Sequence, residues 1–532
     1  MRRGVVIPLC LRILIAVCTR TFFQPDEYFQ SLEPAHRIVF GYGHLTWEWL
    51  AENPIRSIAY PALTVPVYWL LKILGLDDTV LLVFAPKILH GTLAAGTDIW
   101  VQTLASKVVG ERYVCATLFV SLVSWFHALS LSRSLSNSLE TTLTTIALCY
   151  LPAQLRKFLF LAALACMVRI TNVFLWVYLA PIVLWQLRSH PTLLLNIVPD
   201  AVFIAVLALS TLAGIDSLYY RKFTITPLSF LLTNASPVSL FYGSAPWHYY
   251  LTQALPLLCG PALPYSLLGI RIISKERDVR GRTALGLVAW TILVYSCAGH
   301  KEWRFLHPIL PLLHIFAAKH LVDAFHSTPL TPTRRPALHI SNPNILILSL
   351  SIPFIVYTAL FHSSAQIAVT RYLHALPANE LKSTGFLMPC HSVPGQAYVH
   401  RADIEVWALG CEPPLGLSGA ALQSYVDQTD VFYASPSSYL DRYFPEAVDT
   451  SFPPSPLPTT PPGAYHASEE GWNHTWPSHI VMFGALLESG GAGVREKLET
   501  MRYEEVWKAG TGLEEDPRRR GGVHVWKFVD AT

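Results

Sequence analysis

Apolar stretches of near-spanning length recur along the first two-thirds of the chain. They fall at 5–19, 81–105, 113–131, 139–153, 157–170, 172–187, 192–214, 256–273, 283–299, 305–322 and 344–364. Each predicts a helix, because a segment in hydrocarbon must satisfy all its own backbone polar groups. The apolar segment 60–76 also holds two prolines and a lysine. It is read as an interfacial or re-entrant helix inside the first loop. From 365 onward the pattern turns soluble, with strand-like runs at Val431–Tyr433, Ile480–Phe483 and Val523–Phe528 and a Pro/Ser/Thr-rich loop at Phe452–Pro462. Roughly 170 residues can bury a core of their own, so a small α+β domain is expected there.

Charge then orients these helices. With the N-terminus in the cytosol, the basic connections Lys107–Arg112, Arg156–Lys157, Arg188, Ser274–Arg282 and Lys319–Arg335 all fall on the cytosolic side. That is what the positive-inside rule asks, and counting 60–76 as a full span would invert it. The opposite side receives Thr21–Asp78, Ser132–Ser138, Arg169–Asn172, Asp216–Tyr250, His300–Arg304 and the tail from His362. The expected architecture is a mainly α-helical polytopic membrane protein of about eleven transmembrane helices, spanning 1–364. Its first luminal loop runs over 20–80, and 365–532 forms a luminal α+β domain.

Composition agrees. The chain of 532 residues is 52% hydrophobic and 14% charged, whereas soluble chains carry about 25% charged residues. A net charge of +3 without a dense basic cluster excludes a nucleic-acid partner. Arg2 and Arg3 followed by the apolar run Val5–Val17 look like a signal peptide, but no small-residue cleavage pattern follows, so the run is read as a retained span. Seven of the nine cysteines lie in or beside spans as small apolar fillers. Cys390 and Cys411 sit in the tail, where an oxidising lumen would let them form a bridge. The triplet Asn473-His474-Thr475 is a glycosylation acceptor compatible with the same placement.

Candidate chemistry gathers on the luminal side. The densest polar cluster, Phe23 to His36, follows the first span directly. Pro25 suits a first helical turn, with Asp26 and Glu27 at its positive end. Adjacent helical residues point about 100° apart, so the two carboxylates cannot aim at one spot. Glu27, Gln30 and Glu33 would share a face. A helix cap in water is the bland reading; His36, Trp47, Glu48 and Arg56 beside it favour a site. Sugar transfer needs a base for the acceptor hydroxyl and cations for a phosphate leaving group. Cations on this side include Arg133, Arg169, Arg221, His248, His300, Lys301 and Arg304, each otherwise a snorkelling anchor. Glu140 and Asp216 are further carboxylates that could bind a sugar hydroxyl or pair with an arginine. No metal-ligand spacing, Gly-rich phosphate loop or nucleophile elbow occurs in the sequence.

The run Phe23-Gln-Pro-Asp-Glu-Tyr-Phe-Gln-Ser-Leu-Glu-Pro-Ala-His36, continued by Leu45-Thr-Trp-Glu-Trp49 and Arg56-Ser57, resembles the first luminal loop of the dolichyl-phosphate-mannose-dependent α-mannosyltransferases of the GT-C class. Arg133-Ser-Leu-Ser-Asn-Ser-Leu-Glu140, Arg169-Ile-Thr-Asn172, Asp216-Ser-Leu-Tyr-Tyr220, Pro246-Trp-His248 and His300-Lys-Glu-Trp-Arg-Phe305 follow in the family's order. Ser134 stands where the pattern carries Thr, keeping the hydroxyl. Tail segments Leu387–Pro394, Cys411–Pro413 and Trp476–Val481 look like those of the GPI mannosyltransferase III group. The resemblance implies α-1,2 transfer of the third mannose onto a GPI glycolipid intermediate in the endoplasmic reticulum membrane. The donor would be dolichyl phosphate mannose, with no cofactor and inversion at the luminal face. It implies Asp26 as base, with Glu27 a positioning or alternative base. Implied substrate contacts are His36, Trp47, Glu48, Arg56, Arg133, Asn137, Glu140, Arg169, Asp216, Tyr219, His248, His300, Lys301 and Arg304. An α-mannosyltransferase of lipid-linked oligosaccharide assembly is the alternative; a transporter is disfavoured because the polar groups gather at one face and no repeat is visible.

The luminal tail is directly testable. In sealed microsomes it should resist protease, and the protein should lose mass on endoglycosidase treatment unless Asn473→Gln is introduced. A protease-sensitive tail without a glycan would reverse the topology.

Overall fold

The computed structural model describes residues 2–325, 338–415, 417–455, 472–488 and 493–530. Residues 326–335 of the last basic connection and 456–462 of the Pro/Ser/Thr-rich loop lie outside the described residues.

Helix occupies every one of the eleven apolar stretches, beginning with Arg2–Cys18, Leu81–Val108 and Val114–Val123. The others include Ser136–Cys149, Leu155–Val168, Val173–Leu187, Pro191–Tyr220, Leu263–Lys275, Val279–Ser296 and Leu310–Phe325. The eleventh is split into Asn342–Ser349 and Ser351–Leu360. Five helical stretches among the described residues are long and apolar enough to cross a membrane, by length and composition. Burial separates their roles. The window in Trp303–Phe325 is 89% buried and forms the centre of the bundle, whereas that in Pro191–Tyr220 is only 6% buried. An apolar helix that exposes nearly all its surface faces lipid. The segment 60–76 forms a short turn and the helix Val65–Leu74, ten residues long and too short to span.

Packing at the centre depends on small residues. A side chain at Gly269 would overlap the carbonyl of Phe316, so only glycine lets these two helices approach so closely. Within Ser136–Cys149, Thr141 and Thr145 return their hydroxyls to carbonyls four residues back, which lets a hydroxyl-rich sequence form a buried helix. Arg12 and Asp98 pair at 2.6 Å with no exposed side-chain surface, and Ser121 donates to Asp98 at 2.7 Å. This pair ties the first helix to Leu81–Val108. In the sequence the pair shows only as single charges in two apolar runs.

The tail holds a five-stranded sheet of β1 (Ser383–Leu387), β2 (Glu405–Ala408), β3 (His479–Phe483), β4 (Tyr503–Ala509) and β5 (Val523–Phe528). The order is β2-β1-β3-β5-β4, with β1 parallel to β2 and β3, and β5 antiparallel to β3 and β4. Every residue of β1 and β3 is buried, as central strands covered on both faces should be. The expected strand at Val431–Tyr433 is instead part of the helix Gln428–Ala434. Asp427 caps it by accepting from the Asp430 amide, and Phe432 is buried in the helix–sheet core. Local β-propensity over three residues yields to that cap and contact.

The tail is clasped to the first loop. Glu33, fully buried, accepts from the amides of His44, Gln396 and Ala397, each at 2.8 Å. His36 meets His400 at 2.8 Å, and Asp77 and Asp78 lie 3.6 Å from His400 and His374. Cys390 and Cys411 are joined in a disulfide. The Cys411 carbonyl accepts from Tyr242, whose hydroxyl accepts from the Trp47 indole at 2.9 Å.

Replacing Glu33 by Ala should strand three buried amides and cost about 2–4 kcal/mol. The expected readouts are a lower melting temperature in detergent and protease sensitivity near 395–400. An unchanged melting temperature would show that the clasp contributes nothing.

Candidate active site

Asp26 and Glu27 open the helical turn after the first span, and their carboxylates diverge as the helical angle requires. Glu27 turns inward, is 5% exposed and meets Arg133 at 3.0 Å. Arg133 also donates to the Thr21 carbonyl, the Thr21 hydroxyl and the Leu129 carbonyl, each at 2.7 Å. Four acceptors occupy it. Asp26 turns the other way, keeps 20% of its side-chain surface exposed and lies 2.7 Å from Arg304.

The shared face expected for Glu27, Gln30 and Glu33 does not form. Residues Tyr28–Leu32 adopt a π-helix, which puts an extra residue into the turn and shifts the phase of the residues on either side. Glu27 consequently goes to Arg133 and Glu33 to the tail, while Gln30 donates to Glu48 at 3.0 Å.

Three further arginine–carboxylate pairs gather around Asp26. Arg56 grips Glu48 through Nε and Nη2 at 3.0 and 2.7 Å. Arg169 lies 3.3 Å from Glu140 and donates to Ser136 at 3.0 Å, and Asn172 donates to the second Glu140 oxygen. Arg304 grips Glu302 through Nε and Nη2 at 2.6 and 2.8 Å. Arg56, Arg169, Arg304 and Asp26 lie close enough for their charges to act on one another. Although burial works against its charge, Glu48 and Asp26 hold the Arg56 guanidinium above its ordinary pKa. Glu302 is held well below the usual carboxylate range: burial opposes this, but Arg304 and His300 outweigh it. His300 is raised, chiefly by its contact with Glu302.

Arg56 and Arg169 line a cleft of about 620 Å³, part of it open to solvent. Gln30, Ser136 and the two guanidiniums give it a polar wall; Met167, Leu212 and Phe230 give it an apolar one. The Arg56 Nη1 and Arg169 Nη2 groups have no hydrogen-bond partner among the described residues.

The other expected site residues stand elsewhere. Asp216 accepts from the Ser57 hydroxyl, the Ile58 amide and the Thr226 hydroxyl, at 2.8, 3.0 and 2.6 Å. Tyr220 donates to the Arg56 carbonyl, and Tyr219 packs edge-on against Trp49. This motif therefore pins the loop that carries Arg56. Trp47 and His36 face the tail. Lys301 donates to the carbonyls of Ala245 and Ala298. His248 is half-buried and meets Thr252. Asn137 is buried, and its amide has no partner among the described residues. Ser136 and Glu302 were not singled out from sequence, although Glu302 lies between His300 and Arg304 in a motif that was; Gln30 was placed on a helix face but given no role at the site.

A model of the Alg9-like mannosyltransferase family matches residues 5–400. A Yarrowia lipolytica protein named GPI mannosyltransferase 3 is 35% identical over 98% of this chain and 96% of its own length. The human GPI alpha-1,2-mannosyltransferase 3 is 34% identical over 84% of this chain and 77% of its own. Among solved structures, ArnT from Cupriavidus metallidurans bound to undecaprenyl phosphate is similar with a TM-score of 0.58 at 11% identity, covering 98% of this chain and 97% of that one. So distant a likeness shows fold alone, and that fold is the expected GT-C type. Family model, relatives and fold agree: this multi-pass membrane chain is a glycosyltransferase and belongs to the Alg9-like mannosyltransferase family.

Proposed function

We propose that this chain transfers the third, α-1,2-linked mannose to a GPI precursor. The donor is dolichyl phosphate mannose, and the reaction takes place at the luminal face of the endoplasmic reticulum membrane. The acceptor follows from relatives named for GPI mannosyl transfer that align over most of the chain. One observation carries the chemistry: Asp26, a partly exposed carboxylate, lies within charge range of Arg56 and Arg169, and these two arginines line a cleft whose other wall is apolar. A lipid-linked sugar phosphate has the same two-sided character.

The roles follow from what each group has free. Asp26 takes the proton from the acceptor hydroxyl as the hydroxyl oxygen attacks the anomeric carbon. Arg56 and Arg169 turn their unoccupied N–H groups to the donor phosphate and stabilise the charge it gains on leaving. Glu48 and Glu140 hold these arginines in place. Glu27 and Arg133 satisfy each other and build the wall behind Asp26. Attack opposite the leaving phosphate inverts the β-linked donor sugar to an α-linked product.

Asp26→Asn in cells lacking the endogenous enzyme should lower transfer by at least about a hundredfold and remove GPI-anchored proteins from the surface. A two-mannose GPI intermediate should accumulate. Normal surface levels would dismiss Asp26 as the base, and a truncated lipid-linked oligosaccharide would reassign the acceptor. Arg169→Ala and Arg56→Ala should each raise the KM for the donor by about ten- to a hundredfold, as loss of a charge-assisted hydrogen bond predicts. An unchanged donor KM in both would move the phosphate elsewhere.

A further inference from the structure

Asp26 is the end of a chain of contacts. Arg304 Nη1 lies 2.7 Å from the Asp26 carboxylate, and the remaining edge of the same guanidinium is filled by Glu302 at 2.6 and 2.8 Å. Glu302 is itself met by His300 Nε2 at 3.3 Å. The other ring nitrogen, His300 Nδ1, lies 3.0 Å from the Gly243 carbonyl. Neither neighbour can donate: a carbonyl and an ionised carboxylate only accept. A neutral imidazole would satisfy one of them and turn a lone pair on the other. Only the imidazolium, with both nitrogens protonated, satisfies both.

We infer that Glu302 and His300 are positioning residues, in which the His300 imidazolium steadies Glu302 and Glu302 fixes the Arg304 guanidinium against Asp26. The inference rests on Asp26 being the base. Arg304 has one free edge and one occupied edge, and Glu302 decides which is which. With Glu302 in place, Arg304 meets Asp26 through Nη1 alone, a close charge contact at 2.7 Å that leaves the carboxylate free to face the cleft. Without it, Arg304 would be free to turn both edges to Asp26 and bind it in a fork. A base so held is turned away from its substrate, and small misplacements at a reacting centre carry large rate penalties.

The charges facing this relay are few. His300 faces Glu302 and Arg304, with the Phe305 ring and the Gly243 carbonyl around it. Glu302 faces Arg304, His300 and the phenols of Tyr249 and Tyr250. Asp26 faces Arg304, Arg56 and Arg169. Among these, His300 is the group that changes charge nearest neutrality. Because its pKa is raised, the relay is intact at lower pH and is lost as pH rises through that raised value.

The test uses the full-length chain in detergent or nanodiscs with dolichyl phosphate mannose and acceptor. Glu302→Gln should lower kcat by about ten- to a hundredfold while donor KM stays within about threefold; Glu302→Asp should recover part of the loss. His300 is partly exposed, so His300→Gln tests the same relay with little risk to folding. Wild-type kcat should fall on the alkaline side of the histidine range, and His300→Gln should be slow at all pH values, without that limb. A kcat within twofold of wild type for Glu302→Gln, or an alkaline limb that persists in His300→Gln, overturns the inference. A cryo-EM structure of Glu302→Gln decides independently of activity: Arg304 turned onto Asp26 supports the relay, and an unmoved Arg304 refutes it. If the wild-type chain transfers no mannose, the proposed function falls, and the Arg304 position still settles the relay.

Discussion

Charge at the edge of a hydrocarbon core is costly unless it is paired, and the site is organised around that cost. Arg133 has Glu27, Arg56 has Glu48, Arg169 has Glu140 and Arg304 has Glu302. Each guanidinium thus has a carboxylate of its own. Asp26 is the acid left over, and it shares Arg304 instead of owning a partner. This surplus negative charge, partly open to solvent, is what makes Asp26 the proposed base. The two arginines beside the cleft are neutralised but not saturated, so each can be held rigid by its carboxylate and still donate to a phosphate. Pairing and reactivity come from one arrangement.

The same economy explains why the tail and the membrane bundle meet. Glu33 follows directly on the π-helix and sends its carboxylate into the amides that begin Gln396–Val399. Trp47, just before Glu48, reaches the disulfide-bonded segment through Tyr242. The loop that carries Asp26, Glu48 and Arg56 is therefore held from two sides, by Asp216 and Tyr220 at the end of a lipid-facing helix and by the tail. A loop at a membrane surface has few apolar contacts of its own to order it. Buried hydrogen bonds to rigid elements supply that order.

Much of this molecule could be read from its residues in order. Uninterrupted apolarity located the helices because a chain in lipid has almost no other way to satisfy its backbone. Basic connections placed the first loop with the later polar motifs, and the fixed rotation per helical residue separated Asp26 from Glu27. What tertiary structure decided was partnership. Nothing local says that Glu27 belongs to Arg133 or that Asp26 meets Arg304, because these depend on how helices pack. A π-turn at Tyr28–Leu32 broke the expected face of Glu27, Gln30 and Glu33, and a cap turned Val431–Tyr433 from strand to helix. Secondary structure here follows from rules that act over a few residues, whereas pairs such as Arg133–Glu27 and Arg169–Glu140 are settled by which distant carboxylate arrives in a space too dry to leave a charge alone.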